Sequence, residues 1–202
     1  MLPGLQQIEI PPHPPNSGND GSNCRGGLYA RPEALGRAAF VVNGLPARKR
    51  IRLPGQVYRS NHPFLLTMAT HQRHPWFRLH PQLADSAVEI LSTLSVHHGS
   101  SLYAWCIMPD HVHLLLQDKD VVEFVRFFKG KMTAIALAKE SGRRLWQRSF
   151  YDHALRKEET LEAVAFYLWG NPVRAGLVED PRTYRWSGSG VWPEWRALYG
   201  RG

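Results

Sequence analysis

Two histidines separated by one residue, His111 and His113, are the side chains of this sequence best suited to chemistry. They belong to the run MPDHVHLLL, residues 108–116, which predicts a turn followed by a strand. Alternate side chains of a strand share a face, so both imidazoles would point the same way and could bind one divalent cation. Two surface histidines on a half-buried strand would give the same pattern, and the spacing leaves both interpretations open.

Two familiar histidine chemistries are excluded by the neighbours of this pair. A histidine-triad hydrolase would place a third histidine at position 115, where the sequence has Leu115. A zinc protease would place its histidines one helical turn apart around a glutamate, and no such segment is present.

A tyrosine and an asparagine form the second informative group. Tyr167 and Asn171 are four residues apart, so on a helix they lie on one face. Pro172 disfavours helical geometry at the residue before it, which predicts that the helix ends near Asn171. A phenol and an amide would then meet at a helix end. A core tyrosine followed by a C-terminal cap is the other interpretation.

The elements that must position these residues follow from hydrophobic periodicity. Short apolar runs predict strands at 64–70 and 102–108, and 111–116 would complete a hairpin with the second. Helical spacing predicts helices from about Leu83 to Gly99, from Asp120 to Gly142 and from about Glu158 to Gly170. A short strand is expected within 146–155. This order predicts an α+β fold, an antiparallel sheet with helices packed on one face.

Composition limits the partners and the compartment. The formal net charge is +8 and the pI is near 9.8, which favours nucleic acid, or less often an anionic membrane, as the partner. Composition alone leaves equally open a soluble protein that is basic without such a partner. No apolar run approaches the ~18 residues needed to span a bilayer, so no membrane partner is expected. Cys24 and Cys106 lie in dissimilar settings that do not suggest a disulfide framework. A cytoplasmic protein is therefore expected.

The chain divides into four predicted segments. Residues 1–46 are rich in Pro and Gly and predict a disordered extension, and 47–55 form a basic linker. A single catalytic domain is expected over 56–187, followed by an aromatic, irregular tail over 188–202.

Three motifs in this order resemble the REP-associated tyrosine transposases, in the single-tyrosine branch of the HUH nuclease and transposase superfamily. They are MPDHVHLLL at 108–116, WQRSFYDH at 146–153 and YLWGNPVRAGLV at 167–178. The resemblance extends from about Val57 to about Ser187. The sequence departs from the family at Trp169-Gly170, where relatives usually carry better helix formers or bulky apolar residues.

The resemblance implies a ferredoxin-like sheet and a role for each residue of the two groups. His111 and His113 match the metal ligands, Tyr167 matches the nucleophile, and Asn171 matches the polar residue that can complete the metal site. The implied activity is that of a metal-dependent single-strand DNA endonuclease and strand-transferase. Its tyrosine would join the 5′ phosphate of single-stranded or hairpin DNA from hairpin-forming repeats. Mg²⁺ or Mn²⁺ suits mixed histidine and oxygen ligands, and related enzymes act as a monomer or homodimer.

Contacts to DNA would come from basic residues and one aromatic ring. The candidates for phosphate contacts are Lys129, Lys131, Arg143, Arg144, Arg148 and Arg174, with Trp146 for base stacking. A solvated surface role is equally open for each.

Two other functions stay open at this stage. A domesticated, non-catalytic nucleic-acid-binding protein would keep the basic surface without any activity. A metal-dependent phosphohydrolase would use water as its nucleophile and keep Tyr167 in its core. A covalent protein–DNA adduct separates the transposase from both.

Overall fold

The computed structural model of the protein describes residues 41–42, 45–46, 58, 61–156 and 158–199. The chain divides into two units, residues 1–48 and 49–202. In the first unit, β1 (Val41–Val42) pairs antiparallel with β2 (Leu45–Pro46). The rest of the predicted extension, and all of the predicted linker 47–55, lie outside the described residues.

A five-stranded antiparallel sheet forms the centre of the second unit. Its strands are β3 (Pro63–Ala69), β4 (Ser101–Met108), β5 (His111–Gln117), β6 (Tyr151–Ala154) and β7 (Ser187–Gly188). They lie side by side in the order β6-β3-β5-β4-β7. The first four follow the βαββαβ connectivity of ferredoxin-like folds. The predicted α+β class and antiparallel sheet are thereby confirmed.

Helices connect and cover the strands. They are α1 (Trp76–Leu79), α2 (Pro81–His98), α3 (Val121–Lys139), α4 (Leu161–Trp169), α5 (Asn171–Arg174) and α6 (Trp195–Leu198), with 3₁₀ turns at His71–Arg73 and Pro181–Thr183.

Local sequence signals set the ends of the two long helices. α2 ends where Gly99 adopts a left-handed conformation with φ of 65°, which a glycine accepts without steric cost. α3 begins where the Asp120 side chain accepts a 3.0 Å hydrogen bond from the Glu123 amide. It ends at Lys139, three residues before the predicted stop, and Gly142 with φ of 85° turns the chain afterwards.

Helices lie on both faces of the sheet because both faces are apolar. Leu66, Met68 and Leu114 point into the core shared with α2 and α3, the face that the sequence predicts to be covered. Leu65 and Leu115 point into a second core that includes residues of α4. The structure therefore adds a helix on the second face, which must be covered to exclude water from these leucines.

The segment predicted as a tail packs onto this second face. Trp195 is 1% exposed and stacks on Trp169, with ring centroids 4.5 Å apart. β7 pairs with the edge of β4 and places Gly188 against Trp105, a residue of the first core, where a Cβ atom would lie 2.2 Å from the indole ring. Only glycine fits so close an approach. Residues 188–199 thus complete the second core.

Truncation of Trp195 tests this packing. Trp195→Ala should lower the free energy of unfolding by about 3–5 kcal/mol, since it leaves a cavity beside Trp169. Urea unfolding followed by circular dichroism measures the change. Leu198→Ala, in the same helix but 36% exposed, is the control and should cost less than about 1 kcal/mol. Equal effects of the two variants would contradict the packing.

Candidate active site

The two histidines meet at the start of β5. The Nε2 atom of His111 lies 2.9 Å from the Nε2 atom of His113, and the rings are nearly perpendicular at 88°. His113 is 1% exposed, whereas His111 is half-buried. The sequence-predicted pair therefore shares one face and converges on one point.

The Nδ1 atom of each imidazole contacts a neighbouring side chain, which fixes the orientation of the ring. His111 Nδ1 lies 2.5 Å from an Asp110 carboxylate oxygen, and His113 Nδ1 lies 2.9 Å from the Thr67 hydroxyl. An ionised carboxylate can only accept, so His111 donates its Nδ1 proton, and the neutral form of His111 then carries its lone pair at Nε2. The Thr67 hydroxyl can donate or accept, so His113 can present either a proton or a lone pair at Nε2. Outer partners of this kind orient metal-binding histidines.

The charge states agree with this arrangement. Burial, together with the positive charge that His111 carries when protonated and the charges of Arg73 and Arg174, holds the pKa of His113 well below its ordinary value of 6.5. Burial acts to raise the pKa of Asp110, but the hydrogen bond from His111 and the charges of His111 and Arg73 outweigh it and lower that pKa. His113 is thus the neutral imidazole that a cation requires, beside a carboxylate that stays ionised.

Two nitrogen lone pairs directed at one point suit a divalent cation. The fit is incomplete, because the described residues contain no cluster of three or more His, Cys, Asp or Glu side chains that could hold a metal. Cys106 pairs with His113 across the sheet, but burial raises the pKa of its thiol to about 12, so it remains protonated. Further ligands would have to be neutral oxygens or groups of a substrate.

Tyr167 lies on α4, which packs against β4 and β5. Val164, Ala165 and Leu168 bury the other side of this helix in the second core, and Tyr167 itself is half-buried. The Arg174 guanidinium lies over its ring, 3.9 Å from the centroid. The charge of Arg174 also adds to the burial that lowers the pKa of His113.

Asn171 is buried at the start of α5, directly after α4. Its side-chain amide donates to the Leu168 carbonyl at 2.9 Å, and its Oδ1 accepts a 2.7 Å hydrogen bond from Arg174. An amide oxygen has a second lone pair, so this bond leaves one acceptor position.

Gly170 explains how Arg174 folds back over α4. A Cβ atom at position 170 would lie 2.7 Å from Arg174 Nη1, so any larger residue displaces the guanidinium. The departure from the usual family residue at this position therefore makes room for the arginine.

Two of the sequence-predicted DNA contacts have other roles. Trp146 is 4% exposed and packs near Phe77 and Phe128, so the prediction that it stacks on bases is corrected. Trp146 forms an isolated β-bridge with Thr70, and its indole nitrogen donates to the Lys129 carbonyl at 3.2 Å. The Lys129 ammonium donates to the carbonyls of Gln147 and Ser149, at 2.8 and 3.3 Å, and thereby holds the segment that carries Arg148.

Lys129 and Trp146 also line a groove of about 590 Å³ between α3 and residues 142–148, together with the three arginines Arg143, Arg144 and Arg148. All three are exposed, as is Lys131 on α3. The Gln147 amide donates to Ala69 at 3.0 Å, and Ala69 pairs with His111. The segment 142–148, which carries these arginines, therefore runs beside the end of β3 that pairs with His111.

Sequence reasoning missed Thr67 and Asp110. Asp110 adjoins His111 in the chain, so its role could have been suggested by proximity. Thr67 is 46 residues from His113, and only the register of β3 against β5 brings the two together.

The comparisons identify the class of protein. The sequence profile of the IS200-like transposase family matches residues 58–170, more than half of the 202 residues. The chain belongs to this family.

Within the described residues no helix is long and apolar enough to cross a membrane.

Individual relatives agree with the REP-associated resemblance. A Haemophilus influenzae protein named as a candidate REP-associated tyrosine transposase is 32% identical over 108 residues, which are 45% of this chain and 60% of that protein. The match therefore spans less than two thirds of the relative.

Two solved structures are also similar. A REP-associated tyrosine transposase bound to a REP hairpin superposes with a TM-score of 0.56 at 21% identity, covering 69% of this chain and 82% of that one. This likeness concerns the fold. A candidate transposase of Deinococcus radiodurans is 27% identical with a TM-score of 0.41, over 52% of this chain and 88% of its own.

Removal of the Thr67 hydroxyl tests the outer partner of His113. Thr67→Val keeps the shape but cannot hydrogen-bond, so Mn²⁺ affinity should fall by roughly 10- to 100-fold. Titration calorimetry with Mn²⁺ measures this directly. Thr93→Val removes a hydroxyl from the exposed surface of α2 and should leave the affinity unchanged. Wild-type affinity in Thr67→Val would show that this hydroxyl does not orient a metal ligand.

Proposed function

We propose that the protein is a metal-dependent single-strand DNA endonuclease and strand-transferase that forms a 5′-phosphotyrosine intermediate on hairpin-forming repeat DNA. One observation carries the proposal. In a member of the IS200-like transposase family, the Nε2 atoms of His111 and His113 converge at 2.9 Å, and the helix of Tyr167 packs on the same sheet.

His111 and His113 would hold a single Mg²⁺ or Mn²⁺ ion, with the remaining acceptor position of Asn171 as a further oxygen ligand. When bound, such an ion polarises the scissile phosphate and neutralises charge on its oxygens. Thr67 and Asp110 keep the imidazoles directed at that point.

Tyr167 is proposed as the nucleophile. Its phenolic oxygen attacks phosphorus and gives up its proton to solvent, while the bond from phosphorus to the 3′ oxygen breaks and that oxygen takes up a proton. The phosphotyrosine conserves the bond energy, so a DNA hydroxyl can later attack it and rejoin a strand without ATP.

Two of the other tyrosines near the site are less suited to attack. The Tyr184 hydroxyl is buried and donates to the Ile107 carbonyl at 2.8 Å, and burial raises its pKa, so its anion is disfavoured. The Tyr103 hydroxyl donates to Gln117 at 2.7 Å. Arg174 beside Tyr167 supplies a positive charge that would stabilise both a phenolate and the approaching phosphate.

Substitution of the nucleophile tests the reaction. Tyr167→Phe removes one oxygen, so hairpin binding should persist while covalent joining is abolished. The substrates are single-stranded hairpins from the DNA flanking the gene, incubated with Mn²⁺ and resolved on a denaturing gel. The wild type should give a protein–DNA band that withstands SDS, as should Tyr103→Phe, the matched control.

Three results would count against this reaction. A band in Tyr167→Phe would assign attack to another tyrosine. Cleavage by the wild type without any band would indicate a water-using phosphohydrolase. Binding without cleavage or a band would indicate a non-catalytic nucleic-acid-binding protein.

The basic groove predicts strongly salt-dependent binding. For single strands the logarithm of the affinity falls by about 0.7 per neutralised phosphate for each tenfold rise in salt. Arg148→Ala should lower that slope by about 0.7, measured by fluorescence anisotropy across salt concentrations. Arg126→Ala, an exposed arginine paired with Glu123 on α3, is the control and should keep the wild-type slope. An unchanged slope in Arg148→Ala would remove this residue from the phosphate contacts.

A further inference from the structure

Exposed aromatic rings are scarce in the described residues. With Trp146 in the core, the described Phe, Tyr and Trp side chains that are more than 36% exposed are Tyr151, at 54%, and Phe127, at 42%. Among the described Phe, Tyr and Trp rings, these two are therefore the most open to stacking with a DNA base. Their positions relative to the histidine pair decide between them.

Tyr151 lies on the same sheet face as His113. Directly paired residues of antiparallel strands point to the same side. Tyr151 pairs with Thr67, Thr67 pairs with His113, and Cys106 pairs with His113 and with Ser187. These five residues form one transverse row. Since neighbouring strands are about 4.8 Å apart, Tyr151 starts about 10 Å from His113 along this row.

The stretch of sheet between the two residues is open. α4 packs on β4 and β5 and buries Leu115 on this face. On β3, by contrast, Thr67 and Ala69 are only partly buried. Two small side chains thus form a shallow floor that leads from the histidine pair to the Tyr151 ring at the sheet edge.

The positive charge next to this floor, and the hydrogen bonds that hold the surrounding backbone, favour DNA as the ligand. Exposed Arg148 lies three residues before Tyr151, in the segment that Lys129 holds through two backbone carbonyls. The Asp152 carboxylate accepts a 2.7 Å hydrogen bond from Tyr58, which ties β6 to the domain from the other side. Phe127 offers no comparable setting, because it lies on α3, beyond the opposite face, with Arg126 over its ring.

We propose that Tyr151 stacks on a base of single-stranded DNA adjoining the phosphate held at His111 and His113. The inference rests on the proposed function and adds a residue that positions the substrate. The nucleotide would lie across Thr67 and Ala69, with its phosphate at the imidazoles and its base on the phenol ring. Because every base has an aromatic face, this contact fixes position and not sequence.

The test compares ring removal with ring retention. The probe is a fluorescently labelled single-stranded hairpin from the DNA flanking the gene, with a short unpaired extension. Binding is measured by anisotropy for the wild type, Tyr151→Ala, Tyr151→Phe and Phe127→Ala. Tyr151→Ala should weaken binding by roughly 5- to 150-fold, the range for loss of one stacked base. Tyr151→Phe retains the ring and should bind within about twofold of the wild type, as should Phe127→Ala.

An abasic scan locates the stacked base. Removal of that single base should weaken wild-type binding by the same factor and leave Tyr151→Ala unaffected, because the two losses remove one contact. A purely structural role of Tyr151 would make the losses additive at every position and would overturn the proposal.

The remaining outcomes separate this inference from the proposed function. If the wild type binds and forms its covalent adduct while Tyr151→Ala binds equally well, only the stacking role fails. If Tyr151→Phe binds but forms no adduct, Tyr151 is the nucleophile and both assignments fail. If the wild type neither binds the hairpin nor forms an adduct, the proposed function fails and this inference with it.

Discussion

The antiparallel pairing of β3 with β5 is the constraint on which the candidate site depends. It sets Thr67 beside His113 and Ala69 beside His111, so one register supplies both the partner of the buried imidazole and the open floor next to it. A slip of one residue would turn every side chain of β3 to the other face. His113 would then lose its contact with the Thr67 hydroxyl, and Leu66 and Met68 would leave the core that they share with α2 and α3.

Burial of both faces of the sheet determines where chemistry can occur. α2 and α3 cover one face throughout, whereas α4 and the C-terminal segment cover only part of the other. The histidines lie at the boundary of that cover, with His113 inside it and His111 partly outside. Such a position keeps the imidazole of His113 neutral and fixed, while His111 stays partly exposed. The incomplete cover is therefore a feature of the site.

Arg174 connects Tyr167 and Asn171 with the histidine pair. It lies over Tyr167 and donates to Asn171, and its charge adds to the burial that lowers the pKa of His113. Its position depends on Gly170, which leaves space for the guanidinium at the end of α4. Under the proposed function, a positive charge beside a phenol, an amide and an imidazole would attract a phosphodiester and stabilise developing negative charge.

Periodicity and motif order were sufficient to predict the α+β class, the strand that carries His111 and His113, and the helix that carries Tyr167, because these depend on local spacing. The family match agrees with the resemblance drawn from the same motifs. Sequence alone could not assign Trp146 to the core, find Thr67, or show that residues 188–199 close the second face. Each of these depends on contacts between residues far apart in the chain, and strand register and helix docking decide such contacts only when the whole domain has folded.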